Sequence, residues 1–393
     1  MEVVFSTEIC DSSHRCHCLE ICVGDATEVN SPSEVDILAI SCFENCYAPT
    51  WGTMVEGLWN RGIKVADLAL RKALDERARW QCWMSEALPS RLSIGRILCF
   101  EHGRNREPSN VVGNVFRMVT EFALSSGSDE FRLLRLPLLS TGNQGADKSR
   151  MLEAIIRQAY HHLRGSLPVA KVQIVLNGRS AEIHRLVFEA GLHFQQVQAE
   201  WNGIQMKAEP DYDFFMSYRH VDISFAEKIL GGMSARNRDL RIFVDRAELA
   251  SGEFWKPALI AGIHNSRRTI CLITDSYADS GECIDEFHVA MCCGLHRPNF
   301  LLPLLNLSAR GVDSLPSTFR NVNLIPATCP PKDMKEVIDS ILGGDGAAVA
   351  TRISPDRTGA TAARAGCHAP SRGNPKEEDD EPRNTQNTRK MRG

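Results

Sequence analysis

No stretch approaches the roughly 18 consecutive apolar residues of a membrane-spanning helix, so no membrane partner is expected. The first residues, MEVVFSTEICDSSHR, have no basic start followed by an apolar run, so no signal peptide is expected and the cytoplasm is the expected location. A large excess of one charge is also missing. The net charge of −4 gives the chain as a whole no electrostatic reason to bind nucleic acid. Cys10, His14, Cys16, His17, Cys18 and Cys22 crowd together, but no Cys-x-x-Cys pair recurs at a finger-like distance. The alternation of CHCLEICV suits a strand equally well, and no metal site is expected. Many of the 14 cysteines sit inside apolar runs, as Cys99 does in ILCF and Cys271 in TICLIT. That usage reads as buried free thiols in a reducing compartment. Beyond residue 345 large apolar groups become scarce, and residues 346–393 are expected to be a disordered tail.

What remains is enough for two domains. The 393 residues carry 43% hydrophobic and 24% charged side chains, an ordinary globular balance. The expected division is residues 1–205 and 209–345, with the junction near MKAEPDYD, where Pro210 precedes a new apolar run. In the second part DFFMS (213–217), LRIFV (240–244), TICLIT (269–274) and FLLPLL (300–305) read as short apolar strands. Helical faces lie between them: Ile223, Ala226, Ile229, Leu230 and Met233; Leu259, Ile260 and Ile263; Ile284, Phe287, Met291 and Leu295. Apolar strands alternating with amphipathic helices imply a parallel sheet covered on both faces, with ligands beyond the strands' carboxyl ends. In the first part DILAIS (36–41), RILCF (96–100), LLRLPLLS (133–140) and VAKVQIVL (169–176) read as strands. A helix is expected over 149–163, and no short-period repeat is present.

DFFMSYRHVD resembles the first conserved box of TIR domains, in which a strand ends in Ser-Tyr and a polar loop. RIFVDRAELASGEFWKPALIAGIHNSRRTICLITDSYADSGECIDEF continues the resemblance. It holds Phe-x-Asp after the second strand, the Gly and Trp of the BB loop, Ile-x-x-Ser closing the next helix, and Ser-x-x-Cys-x-x-Glu. Glu282 stands where many TIR domains carry Trp. The implied fold is a flavodoxin-like parallel sheet. The implied activity is cleavage of NAD+ at the nicotinamide–ribose bond, with Glu286 as the catalytic residue, NAD+ as substrate and no cofactor.

One carboxylate suffices in principle, because nicotinamide leaves NAD+ as a neutral molecule without a general acid. A negative charge fixed beside the ribose carbon stabilises the cation that develops there. Ser280 is suited to cap a helix whose early turns carry Cys283 and Glu286, three apart on one face. The resemblance places Ser217, Tyr218, Arg219, Trp255, Ser280 and Cys283 around the substrate. Tyr218 could stack on a ring or be a core-edge tyrosine. Arg219 could hold phosphate or make a surface ion pair. Trp255 could close over substrate, meet another TIR copy or belong to the core. Glu286 itself could be a solvated helix residue, and Glu282 could raise its pKa or merely favour the helix start. Asp245 is expected to order its own loop. The resemblance also implies a homo-oligomer built through TIR domains.

LPLLSTGNQGADKSRMLEAIIRQA holds a second pattern: a strand ending in Ser140, a turn Thr141–Gly142–Asn143–Gln144–Gly145, and a helix. Such a turn lets backbone N–H groups approach an anion, although a tight ligand-free connection has the same pattern. With CVGDATEV and DILAISCF, this layout resembles a macro domain over residues 20–190, a three-layer α/β module that binds ADP-ribose. The resemblance places an ADP-ribose-like nucleotide on Ser140 to Gly145. It lets Asp36 reach an adenine amino group, a strand-start cap being the other reading. The family's Asn-rich turn and Gly-Gly-Gly loop are missing; SCFENCYAPTWGTMVEGLWNRGI stands there instead. The expectation is therefore a TIR NADase, forming linear or cyclic ADP-ribose in immune or antiphage signalling, regulated by a macro-like ligand-sensing domain. The alternatives are a non-enzymatic TIR adaptor and an N-terminal nucleotide-processing enzyme.

Overall fold

The computed structural model describes residues 1–11, 15–28, 35–103, 107–127, 130–178, 180–204, 206–207, 209–244, 255–307, 311–322, 324–326 and 334–343. The expected tail, Asp245 and most of the BB-loop segment lie outside them.

Eight strands form the first sheet: β1 (Glu2–Cys10), β2 (Cys16–Val23), β3 (Val35–Phe43), β4 (Lys72–Glu76), β5 (Cys82–Ser85), β6 (Ile94–His102), β7 (Phe131–Pro137) and β8 (Val169–Leu176). Their order is β1-β2-β8-β7-β3-β6-β5-β4. The inner strands from β2 to β6 run parallel, and each edge is finished by antiparallel pairing. Alternation decides the two faces. Ile37 and Ala39 of β3 enter one core, and Leu38, Ile40 and Cys42 enter the other. The helices are α1 (Met54–Asn60), α2 (Val65–Leu68), α3 (Arg77–Trp80), α4 (Pro108–Ser126), α5 (Lys148–Arg164) and α6 (Ala181–Glu200). Hydrophobic residues of α1 and α2 enter the core with Leu38, and those of α4, α5 and α6 enter the core with Ile37, making three layers.

The second sheet is parallel, in the order β10-β9-β11-β12-β13. Its strands are β9 (Tyr212–Ser217), β10 (Ile242–Val244), β11 (Ser266–Thr274), β12 (Leu301–Asn306) and β13 (Ile325–Pro326). Helices α7 (Ile223–Arg236) and α11 (Met334–Leu342) cover one face with Phe214, Met216, Ile270 and Leu272. Helices α8 (Trp255–His264) and α9 (Gly281–Gly294) cover the other, and α10 (Ser317–Arg320) follows β12. The sequence patterns place β9, β10, β11 and β12 to within a few residues, and β13 was not among the expected strands. Two expectations need correction. β7 ends at Pro137 rather than at Ser140: its last pair is Pro137 with Val175, and the chain then turns, with Ser140 at a left-handed φ of 58° that no strand accommodates. Leu295 does not extend the buried face of α9; it follows the helix end at Gly294 and is 59% exposed.

The two sheets share one hydrophobic core. Cys271, Ile273, Tyr277 and Phe287 cluster with Phe116, Val119 and Leu152. α4 packs on α9 and α10, and α5 packs on α8. A polar seam runs through this contact. Arg117 of α4 donates from Nε and Nη2 to the two carboxylate oxygens of Asp285 at 2.7 and 2.9 Å. Lys256 Nζ reaches the same carboxylate at 3.4 Å. Burial alone would raise the Asp285 carboxyl, but Arg117, Lys256 and His162 outweigh it and hold it below the usual carboxylate range. Glu121, fully buried, accepts from Ser317 Oγ, Thr318 N, Thr318 Oγ1 and His288 Nε2.

Removing Arg117 leaves a buried carboxylate with Lys256, at 3.4 Å, as its remaining ion-pair partner. Arg117→Ala is expected to destabilise the chain by about 3 kcal/mol, read as a lower urea midpoint than wild type. An unchanged midpoint would mean the seam carries no net stability. A second prediction concerns acid. His264 is 1% exposed, and burial followed by the Arg297 charge pushes its imidazole down from 6.5 to about 3. The folded protein keeps the neutral ring, whereas the unfolded chain protonates it. Its contribution is therefore complete above pH 6.5 and is lost as pH falls from there towards about 3. His264 by itself should contribute a loss of about 1.4 kcal/mol per pH unit across that window, in addition to that of the buried His161 and His162. Melting curves on either side of it should show a shallower slope in His264→Asn; identical slopes would refute the assignment.

Candidate functional site

β9 is an inner strand of a parallel sheet, so its carboxyl end opens on the edge where such sheets receive ligands. It ends at Ser217, 1% exposed, which faces Cys271 of β11 in register. Ser280 caps α9 by accepting from Cys283 N at 3.4 Å, and its 3-residue spacing to Cys283 and again to Glu286 brings Glu286 round to Ser217. Ser217 Oγ donates to Glu286 Oε2 at 2.5 Å. The serine's one proton is then committed, so Tyr277 Oη, 2.7 Å away, donates to Ser217 Oγ. Burial, followed by nearby thiol and carboxylate charge, raises the Tyr277 phenol well above its ordinary value, which keeps that proton in place. Two hydroxyls in series thus hold a half-buried carboxylate in one orientation.

The remaining expected residues distribute unevenly. Arg219, 45% exposed, donates from Nη1 to Ser280 Oγ at 3.0 Å and pairs with Glu282 at 3.7 Å. It therefore stands at the start of α9, one turn from Glu286. Glu282 is 53% exposed and faces this arginine. Cys283 is buried in the shared core, and its thiol is raised by burial and then by the Glu286 charge. Tyr218 packs against the α7 and α11 core, on the other face of the sheet from α9. Trp255 begins α8, and its side chain lies outside the described residues. Ser217, Arg219, Ser280 and Glu286 are thus brought together, and Tyr218 is not among them. Tyr277 was missed by sequence reasoning. The trace it leaves is the Tyr-x-x-Ser-x-x-Cys spacing up to Cys283, but nothing in that spacing reveals a partner 60 residues away.

Behind Glu286 lies the seam. Glu286 and Asp285 line a cavity of about 40 Å³ with His161, His162, Lys256 and Val289, space for one or two waters. His161 is buried with its Nδ1 accepting from Trp201 Nε1 at 3.3 Å.

The first sheet has its own hollow, about 540 Å³, at the carboxyl ends of β3, β7 and β8. Thr141, Gly142, Asn143 and Gln144 form part of its wall, together with Asp25, Phe43, Lys148 and Asn177. Ser41 builds the turn: its Oγ accepts from Ser140 N at 2.8 Å and donates to Gln144 Oε1 at 2.9 Å. Ser140 is buried and, with Gly145 at φ 73°, bends the chain into α5, whose N-cap is Asp147. Ser140 and Gly145 shape the turn, and Thr141 to Gln144 face the hollow.

Asp36 requires a correction. It is the second residue of β3, and its carboxylate accepts from Arg132 N at 2.6 Å and Leu133 N at 3.0 Å. Ser41 and Phe43 at the hollow lie about 17 and about 23 Å further along the strand at ordinary strand rise. Asp36 therefore ties β3 to the start of β7 and does not reach the hollow. Two acidic residues do, Glu56 and Asp25, and Asp25 Oδ1 accepts from Thr27 N and Thr27 Oγ1 at 2.8 Å each. Its place after Gly24 in CVGDATEV was the available signal.

Comparison with known proteins now separates the two halves. Residues 214–334 match the family described as TIR domain. A TIR domain thus follows the larger sheet. The first half is similar to solved macrodomain structures. A mutant macrodomain from Oceanobacillus iheyensis is 13% identical, with a TM-score of 0.38, covering 51% of this chain and 96% of that one. A Trypanosoma brucei macrodomain in complex with ADP-ribose is 13% identical, with a TM-score of 0.34, covering 44% of this chain and 68% of that one. The search of curated proteins finds no match. Among the described residues no helix is long and apolar enough to cross a membrane.

Ser41 is the testable element of the turn. Ser41→Ala leaves the Ser140 amide and the Gln144 carbonyl oxygen without this partner, at a cost of about 1–2 kcal/mol. Amide exchange at Ser140 should accelerate relative to the β3 core; unchanged exchange would show that the hydroxyl does not hold the turn.

Proposed function

We propose that the TIR domain cleaves NAD+ at the nicotinamide–ribose bond, with Glu286 stabilising the ribosyl cation. We further propose that the hollow of the first sheet binds an ADP-ribose-like nucleotide that regulates this activity. The observation that carries the first reading is the Tyr277–Ser217–Glu286 chain, which aims a carboxylate at the carboxyl edge of the second sheet. A carboxylate that keeps one orientation costs no reorganisation as positive charge grows on the sugar. Arg219, still 45% exposed, stands close enough to meet a phosphate. Self-association through TIR domains and a role in immune or antiphage signalling belong to the same proposal.

The second reading rests on shape and backbone. A hollow of about 540 Å³ lies within the ordinary range of nucleotide-sized sites. The turn Thr141–Gln144 and the start of α5 present peptide dipoles to it, which suits a diphosphate. Lys148, the first residue of α5, adds a positive charge at the wall.

The purified 393-residue chain incubated with NAD+ is expected to release nicotinamide and form linear or cyclic ADP-ribose. Glu286→Gln should lower turnover at least about 100-fold with an unchanged melting point. Equal NAD+ loss in both proteins would remove Glu286 from the mechanism, and no turnover by wild type at concentrations that assemble it would favour the adaptor reading. Gly142 has open space where a Cβ would stand. Gly142→Val should therefore fold normally, project into the hollow and weaken ADP-ribose binding at least about 10-fold by calorimetry.

A further inference from the structure

The sulfur and imidazole groups near the start of the chain play no part in either site, and the sheet separates them. β2 alternates, so His17 turns inward, 1% exposed, with Nδ1 at 2.9 Å from the Val169 carbonyl and Nε2 at 3.4 Å from Asp11. Cys22 is buried. Among the described residues no group of three or more His, Cys, Asp or Glu could hold a metal. One pair remains at the surface. Cys10 ends β1 and Cys16 begins β2; they are direct partners in the antiparallel register, both exposed, with Sγ atoms 2.7 Å apart.

The register decides what this pair can do. Asp11 N donates to Arg15 O at 3.0 Å, so positions 11 and 15 form the hydrogen-bonded pair. Alternation makes Cys10 and Cys16 the adjoining non-hydrogen-bonded pair, where Cα atoms stand about 4.5 Å apart and side chains come closest. A disulfide spans Cα separations of about 4.4–6.8 Å. The strands therefore need no shift to accept one. The surroundings are anchored as well. Arg164, the last residue of α5, donates from Nη1 to the Cys10 carbonyl at 2.8 Å, and Asp11, 4% exposed, accepts from Arg15 N at 3.0 Å.

We propose that Cys10 and Cys16 form a reversible dithiol–disulfide site, closed by a small-molecule disulfide oxidant of the glutathione type. One cysteine thiolate attacks a sulfur of glutathione disulfide, breaks its S–S bond and expels a glutathione thiolate. The second cysteine, deprotonated, attacks the cysteine sulfur of the mixed disulfide and expels the other glutathione thiolate. Two cysteine thiols are oxidised, one glutathione disulfide is reduced to two thiols, and the two cysteine protons pass through solvent to the leaving thiolates. Closure would covalently lock the end of the edge hairpin where α5 is tied to it.

The test uses the full chain and glutathione disulfide, followed by alkylation of free thiols, trypsin and mass spectrometry. Arg15 lies between the cysteines, so a bond between them appears as two joined tryptic peptides, and because the peptide 16–61 also holds Cys18, Cys22, Cys42 and Cys46, fragmentation of the joined pair locates the bond at Cys16. The expected product is that joined pair, two hydrogen masses lighter than the separate thiol peptides, returned to free thiols by excess reduced glutathione. Cys46, exposed on a different loop, serves as the comparison thiol. In Cys16→Ser, Cys10 should instead retain a stable glutathione adduct. The proposal is overturned if both cysteines of wild type end as glutathione adducts, if both are recovered alkylated, or if mixed heavy and light chains show that the joined peptides come from different molecules.

Discussion

The two-pronged ion pair between Arg117 and Asp285 is the constraint on which the arrangement of the halves depends. Both side chains are nearly buried, at 10% and 15% exposure, so neither charge is well solvated and each requires the other. The fork geometry of guanidinium on carboxylate also fixes direction as well as distance. The fit is close: a Cβ on Gly281 would stand 2.8 Å from Arg117 Cζ. A side chain at the first position of α9 would thus have to displace the Arg117 guanidinium that Asp285 holds. Lys256, from α8, completes the arrangement and also reaches Gln158 of α5.

Glu286 is the residue after Asp285, so the seam and the carboxylate chain grip successive positions of one helix, about 100° apart around its axis. Ser217 and Tyr277 hold Glu286 from within the TIR sheet, and Arg117 holds Asp285 from the first half. α5 extends this connection. It starts at the turn that walls the nucleotide-sized hollow and ends against α8, a rod of 17 residues or about 25 Å. The regulation proposed above therefore has a physical carrier. A ligand that orders the turn differently in two states would bias a rigid helix whose far half bears Gln158, His161 and His162 on the seam.

Much of each half was legible along the chain. Continuous apolar runs such as TICLIT and VAKVQIVL become inner strands because both faces of those sheets are covered. Ser280 could be recognised as a cap because capping depends on neighbours three residues away. Asp36 shows the limit of such local reading. An acidic residue at a strand start looks the same whether it binds a base or neighbouring amides, and the amides of Arg132 and Leu133 decide the matter from 96 and 97 residues away. Tyr218 and Ser217 are sequence neighbours, yet the serine joins Glu286 whereas the tyrosine packs on the opposite face.

By itself the sequence determined the periodicities, the caps and the order of strands and helices, since each depends on interactions within a few residues. It also carried the motif that identifies the TIR domain. The tertiary structure decided which polar groups meet: Tyr277 with Ser217, Arg117 with Asp285, Glu121 with His288 and Thr318, Cys10 with Cys16. A hydrogen bond or ion pair between distant residues depends on how sheets stack and helices turn. Burial then makes those few contacts decisive, because an unmatched polar group away from water costs more than a matched one returns.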